Sequence, residues 1–405
     1  MSFAVQRRWM YGLIPQATAN GLANVLLLLF LVVELRGSLL DLGLVATVSA
    51  LSIIPSLIFW GWLVDRTGRC KPFLLISFVG VGLVFLLIPF VRDVPQLLVL
   101  SAIRSVAYSA SLPARQILTV ESESREGWQG GMARMQFLTG LGETLGMGMG
   151  AATFGSLGFG TLFVLCGFFC IISALASALM VQDPWLMIER RLVVLERFTN
   201  TLVSASTLIG NADTFGQTMT PHKVSRMFHH SARFFFFGVF SFSLGGVALY
   251  SPLPAYFLSF FSTSTVFIVF LAGSMANALC YLLVNRMGGN VQRNLILTAV
   301  SRMLLIPLLI IPVMGLNSGL FLAVGVLASL GAAWALFDVA STCMFLEISQ
   351  RGRAGFYGAS IGLGSAVGGI LGGYISMEYG FGLLFTFCSL IYAGSLIAFV
   401  LQFKR

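Results

Sequence analysis

The chain has 405 residues, 57% of them hydrophobic and only 10% charged, with a mean hydropathy of +0.92, against roughly 25% charged in a soluble domain. That composition excludes a water-soluble globule. At about 20 apolar residues per membrane crossing, it leaves room for about twelve crossings and for no large soluble domain. The net charge of +9 would raise nucleic acid as a partner if the bases clustered on a soluble surface, so their position decides what they mean.

In chain order the predicted spans are 10–34, 39–63, 72–91, 95–118, 132–156, 160–181, 233–257, 263–284, 294–314, 318–345, 355–376 and 381–402. The first carries Gln16, Asn20 and Asn24 at four-residue intervals, a polar stripe on one helix face. It has no small-residue cleavage site after it and is expected to remain as a span instead of leaving as a signal. The second is followed by Gly61-Trp62-Leu63-Val64-Asp65-Arg66-Thr67-Gly68-Arg69-Cys70-Lys71. The fourth holds Arg104 well inside it, with Tyr108 one turn on. The fifth holds Glu143 at similar depth among Gly142, Gly146 and Gly150. The seventh ends in Tyr250-Ser251-Pro252-Leu253-Pro254, where the prolines should break the helix. Trp334 and Asp338 lie in the tenth, and Gly364, Gly368 and Gly372 in the eleventh.

With twelve spans both termini fall on one side. Twenty of the 24 Lys and Arg lie on that side, Arg115 counted among them, leaving Arg36 and Arg92 opposite and Arg104 and Arg302 within spans. Basic loops resist translocation, so that side is expected to be cytoplasmic. The basic balance then reports topology, and nucleic acid is not a partner. Five of the six cysteines fall inside spans, none makes a CxxC pair, and all six are expected as reduced thiols.

A polar stretch at 182–232 separates an N-terminal six-helix bundle, 1–181, from a C-terminal one, 233–405. Within it Trp185 to Phe198 mixes charged and apolar residues as an interfacial helix would. The two flanks repeat. A shift of 222 carries Gly140, Gly142, Gly146 and Gly150 onto Gly362, Gly364, Gly368 and Gly372. The same shift carries Gly158-Phe159-Gly160 onto Gly380-Phe381-Gly382, and Cys166 onto Cys388. A shift of 220 carries Val64-Asp65-Arg66 onto Val284-Asn285-Arg286. Six spans followed by six more in the same orientation form a parallel repeat.

The segment Gly61 to Lys71 closely resembles the loop signature G-x-L-a-D-R-x-G-R-K of the major facilitator superfamily of transporters. It departs only at Cys70, with Lys71 following. The resemblance implies an all-α integral membrane fold of twelve transmembrane helices in two parallel six-helix repeats. It also implies a gating motif of Gly61, Asp65, Arg66, Gly68 and Arg69, in which Asp65 faces the N-terminus of the eleventh helix near Gly352 to Gly355. Gly142-x-x-x-Gly146-Met147-x-x-Gly150-Ala151 resembles the G-x-x-x-G-P-x-x-G-G motif of the exporter and antiporter branches, with Met147 in place of the proline and Ala151 in place of the last glycine. Its repeat partner around Gly364, Gly368 and Gly372 has the remaining glycines, and small residues at this spacing serve close helix packing equally well.

A guanidinium at mid-membrane is costly and faces a partner or a water-filled cavity. Arg104 and Glu143 are therefore expected either to pair or to let Glu143 change protonation with conformation. In the resembling family the first, fourth, seventh and tenth helices line the cavity. That implies for Asp338 a substrate-cation or proton site, the alternative being a solvated residue at the inner mouth. Gln16, Asn20 and Asn24 suit the cavity wall or helix–helix hydrogen bonds, and Tyr108, Tyr250 and Trp334 suit an aromatic clamp on an amphipathic or cationic molecule or plain packing.

No G-x-x-x-x-G-K-[ST] loop is present, which excludes the phosphate cradle of a nucleotide-driven pump. The only histidines, His222, His229 and His230, lie in or beside the central stretch and exclude an intramembrane His-based zinc protease. Neither metal nor cofactor is expected. The expected function is secondary transport of a small organic solute by alternating access, as proton-coupled efflux of amphipathic or cationic compounds by a monomer in the cytoplasmic membrane. Metabolite uptake by symport or uniport is the alternative, and a transport-inactive sensor using the 182–232 stretch the more distant one.

Overall fold

A computed structural model describes residues 8–122, 128–181, 230–284, 291–314, 316–348 and 354–403, all of whose regular elements are helical. A 3₁₀ turn at Arg8–Leu13 leads into α1 (Ile14–Val33). There follow α2 (Leu39–Thr67), α3 (Lys71–Leu87), α4 (Val94–Ser109), α5 (Ser111–Glu121), α6 (Trp128–Thr153) and α7 (Phe159–Met180). The second half holds α8 (His230–Tyr250), α9 (Leu253–Leu258), α10 (Thr263–Val284), α11 (Val291–Leu305), α12 (Leu316–Ile348), α13 (Ala354–Glu378) and α14 (Gly380–Phe403). The pairs α4–α5 and α8–α9 each make one broken crossing, which gives twelve.

Among the described residues eleven crossings are long and apolar enough to span a membrane. The remaining one is α6, 26 residues long and rich in glycine and threonine, which lies between α1 and α10.

Local chemistry sets the ends. Ser38 opens α2 as a capping box: its backbone N–H donates to Asp41 Oδ2 at 2.7 Å, and its Oγ accepts from the Asp41 N–H at 3.2 Å. Gly68 closes α2 with φ +64°, and its N–H donates to the Val64 carbonyl at 2.8 Å, a left-handed cap that glycine adopts without a Cβ clash. The fourth crossing breaks at Ala110 because Pro113, early in α5, has no N–H for the helical ladder. Ser77 Oγ and Ser111 Oγ donate to the Tyr108 carbonyl beside the break, at 3.2 and 2.9 Å. The seventh crossing breaks between Tyr250 and Leu253, at the prolines.

Within the halves, α1 packs on α6 and α7, α2 on α4, and α3 on α7, while α8 packs on α13 and α14, α10 on α12, and α11 on α12 and α14. Gly142 and Gly146 admit α1 so closely that a Cβ on either would strike Ala17, Thr18 or Leu22. Gly364, Gly368 and Gly372 admit α8 in the same way, against Phe240, Leu244 and Ala248. The glycine repeat therefore packs equivalent helices on equivalent partners in the two halves. Gly150 departs from its repeat partner, because a Cβ there would meet Phe267 of α10 as well as Leu22.

Two seams join the halves, α2 with α13 and α6 with α10. Along the first, Gly43 lies against Gly369 and Gly373, Thr47 Oγ1 donates to the Ala366 carbonyl at 2.8 Å, and Ile54 covers Gly362. Toward the face that carries Arg66, Arg69 and Lys71, a Cβ on Gly61 or on Gly358 would meet nothing within 4 Å. The close glycine contacts of this seam thus lie away from the basic face, at Gly43, Gly362, Gly369 and Gly373.

Candidate functional site: a polar chain across the seam

The break between α4 and α5 brings Arg115 inside the N-terminal half. It is 4% exposed, so it is not one of the face charges counted from sequence. Its Nη2 donates to Gln16 Oε1 at 2.6 Å, and its guanidinium carbon lies 5.6 Å from the ring centres of both Phe78 and Tyr108. Arg115 is also the cation whose field reaches Glu143.

That corrects the expected Arg104–Glu143 pair. Arg104 stands eleven residues before Arg115, about 16 Å along a helix at 1.5 Å per residue, too far for one carboxylate to serve both. Its electrostatic neighbours are Tyr108, Cys166 and Cys170, and its Nε has no hydrogen-bond partner.

Across the seam, Asp338 on α12 accepts from Tyr281 Oη at 2.8 Å and from Gln136 Nε2 at 3.1 Å, both on Oδ2. Tyr281 belongs to α10 and Gln136 to α6, so the half-buried Asp338 is hydrogen-bonded from both halves. Tyr281 is buried and also lies in the field of Glu143. One residue beyond Glu143, Thr144 Oγ1 and Ser274 Oγ meet at 3.1 Å and join α6 to α10. Gln16 and Arg115 thus form one hydrogen-bonded pair inside the N-terminal half, and Gln136, Asp338 and Tyr281 a second group across the seam, with Glu143 on α6 near enough to Arg115 and Tyr281 to interact electrostatically. Gln16 Nε2, Asn20 Oδ1 and Asn277 Oδ1 are buried without a hydrogen-bond partner, an arrangement that native structures rarely leave unexplained. Asn24, the third member of the polar stripe, is exposed.

The three aromatic residues expected as one clamp are divided between two arginines. Tyr108 lies over Arg115, whereas Tyr250 and Trp334 lie 5.9 and 5.5 Å from the guanidinium of Arg302, deep in the other half. Cation–π contact explains both placements. In the signature loop Arg66 lies 5.2 Å from the Trp62 ring, Arg69 is exposed, and Asp65 Oδ2 is buried without a hydrogen-bond partner. The expected partner of Asp65, Gly352 to Gly355, falls mainly outside the described residues, as does the whole interfacial segment Trp185 to Phe198.

Sequence reasoning missed Gln136 and Tyr281 as site residues and misplaced Arg115. Arg302 was visible as an intramembrane base, but nothing local marks the other three.

Two repeated helical bundles, joined along two seams with partly buried polar groups between them, define a polytopic helical membrane protein. The sequence profile of the Major Facilitator Superfamily matches residues 10–354, and the chain belongs to that family. No curated protein matches the sequence significantly. Among solved structures, the chain resembles the nucleoside transporter NupG, with a TM-score of 0.69 at 16% identity over all of both chains. Its D323A variant gives 0.71 at 15% over all of both chains. Tetrameric PepTSo2 gives 0.71 at 14% identity over 98% of this chain and 96% of that one. At these identities the likeness concerns the fold.

Proposed function

We propose that the chain is a proton-coupled exporter of amphipathic or cationic organic solutes, working by alternating access as a monomer in the cytoplasmic membrane with both termini inside. The observation that carries this reading is the hydrogen-bonded Asp338, held from both halves by Gln136 and Tyr281 and linked through Tyr281 to the field of Glu143. Two acids placed at a moving seam give a proton and a cationic solute the same sites in turn, and that competition is what coupling requires. The orphaned amide groups of Gln16, Asn20 and Asn277 supply hydrogen bonds a solute would satisfy. The two six-helix bundles, 1–181 and 233–405, are the rocking units, and the α2–α13 and α6–α10 seams are where they move against each other. Asp65, whose Oδ2 is buried without a hydrogen-bond partner, takes up its contact with the eleventh crossing when the seam closes there.

One observation favours a second reading, uptake by symport or uniport. Met147 stands where the exporter motif has proline, and α6 runs unbroken through it.

The test is internal pH in proteoliposomes loaded with a fluorescent indicator, with cationic and neutral amphipathic compounds added to either side. Proton movement opposite to solute movement supports export. Movement in the same direction establishes uptake by symport, and tracer flux without proton movement establishes a uniporter.

A further inference from the structure

We infer that Arg302, with the aromatic rings around it, forms a subsite for a carboxylate carried by the transported solute. The inference rests on the transport reading above and narrows its substrate class.

Arg302 is fully buried, at 0% exposure. A guanidinium offers five N–H donors. Its Nη1 donates to Tyr392 Oη at 2.7 Å and its Nη2 to the Leu330 carbonyl at 3.2 Å, while Nε has no partner. Rings of Phe242, Tyr250, Trp334 and Tyr392 surround it at 4.8 to 5.9 Å. Among the described residues these contacts are a phenol, a carbonyl and four rings, none of them an acid. A buried cation without an anion is costly inside a membrane protein.

The other half shows what is missing. Arg115 has a similar aromatic setting, but it also has the amide oxygen of Gln16 and the field of Glu143. Arg302 has the rings without the acid.

Beside the guanidinium a methyl group fits at ordinary contact distance, and one ring of the cage is partly exposed. A Cβ added at Gly246 would meet only two heavy atoms within 4 Å, Tyr392 Oη at 3.5 Å and Arg302 Nη1 at 3.7 Å. Trp334, in the ring cage, is 37% exposed. Asp338 lies four residues further along α12, on the same face one turn away.

The test is thermal unfolding of the purified chain in nanodiscs, titrated with benzoate, phenylacetate and 4-(aminomethyl)benzoate, and with benzamide as the uncharged isostere of benzoate. The expected result is saturable stabilisation by the carboxylates and none by benzamide. Arg302→Lys, which keeps the charge and loses the planar fork, should weaken binding roughly tenfold, and Arg302→Gln should abolish it. Gly246→Ala leaves the arginine in place, fills the space beside Nη1 and should weaken binding several-fold, which keeps the test decisive if Arg302→Gln does not fold.

Silence of all three carboxylates on the wild type would overturn the inference, as would stabilisation that persists in both Arg302→Lys and Gly246→Ala. Carboxylate binding without proton movement in liposomes would remove the proton-coupled reading and leave this subsite standing. Cation-driven proton movement without carboxylate binding would do the reverse.

Discussion

Gln136 on α6 donates to Asp338 on α12 across 3.1 Å, and the same carboxylate oxygen takes the Tyr281 hydroxyl at 2.8 Å. One oxygen thus joins the N-terminal half to two helices of the C-terminal half. Two donors on one charged acceptor hold it in place, and only the Gln136 bond has to break if the halves move apart there.

Replacing Gln136 by leucine should free that seam. A hydrogen bond to a charged group contributes about 1.5–3 kcal/mol, so the balance between conformations should shift roughly tenfold or more. Pulsed dipolar distances between spin labels at Arg69 and Gly358 report it, and distributions unchanged from wild type would count against a tie between the halves.

Glu143→Gln should abolish the pH dependence of transport while leaving the chain folded, because the amide keeps the shape and loses the titrating proton. Solute-driven change of internal pH in proteoliposomes is the measurement. A wild type that transports with no pH dependence would sink the role given to this carboxylate.

Asp65→Asn should slow cycling several-fold without lowering expression if Asp65 has the proposed gating role, since its Oδ2 is buried without a hydrogen-bond partner here. Steady-state flux against solute concentration separates the cases: a lower maximal rate with an unchanged half-saturation is expected, and kinetics equal to wild type would remove the gating role.

Gly146→Val should be among the more damaging single changes, because even the first added carbon would strike the Thr18 carbonyl and the Leu22 backbone nitrogen on α1. Overpacking costs about 1–3 kcal/mol, to be read as a lowered unfolding temperature. At Gly325 a Cβ meets nothing within 4 Å, so Gly325→Ala is the matched control. Equal unfolding temperatures for the two variants would contradict the close α1–α6 contact.

The break at Pro252 and Pro254 was legible because proline lacks a donor wherever it stands. The pairing of Glu143 was not. Depth along a span put Arg104 beside it, but the break at Ala110 turns α5 inward and presents Arg115 instead. Tyr108, Tyr250 and Trp334 were recognisable as aromatic residues within spans, and the arginine each one covers was not, since the helices that bring them together are far apart in the chain.

Membrane insertion, the number of crossings, the two-fold repeat and the family resemblance could all be read along the chain, because apolar length, glycine spacing and a loop motif act locally and along one helix at a time. Which polar groups meet depends on the assembled fold. Gln136 reaches Asp338 across 202 positions of sequence, and Gln16 reaches Arg115 across 99, and no local preference of either residue encodes its partner. Those contacts depend on how tightly glycine-lined helices pack and on which face a broken helix turns, and both are set by the assembled bundle.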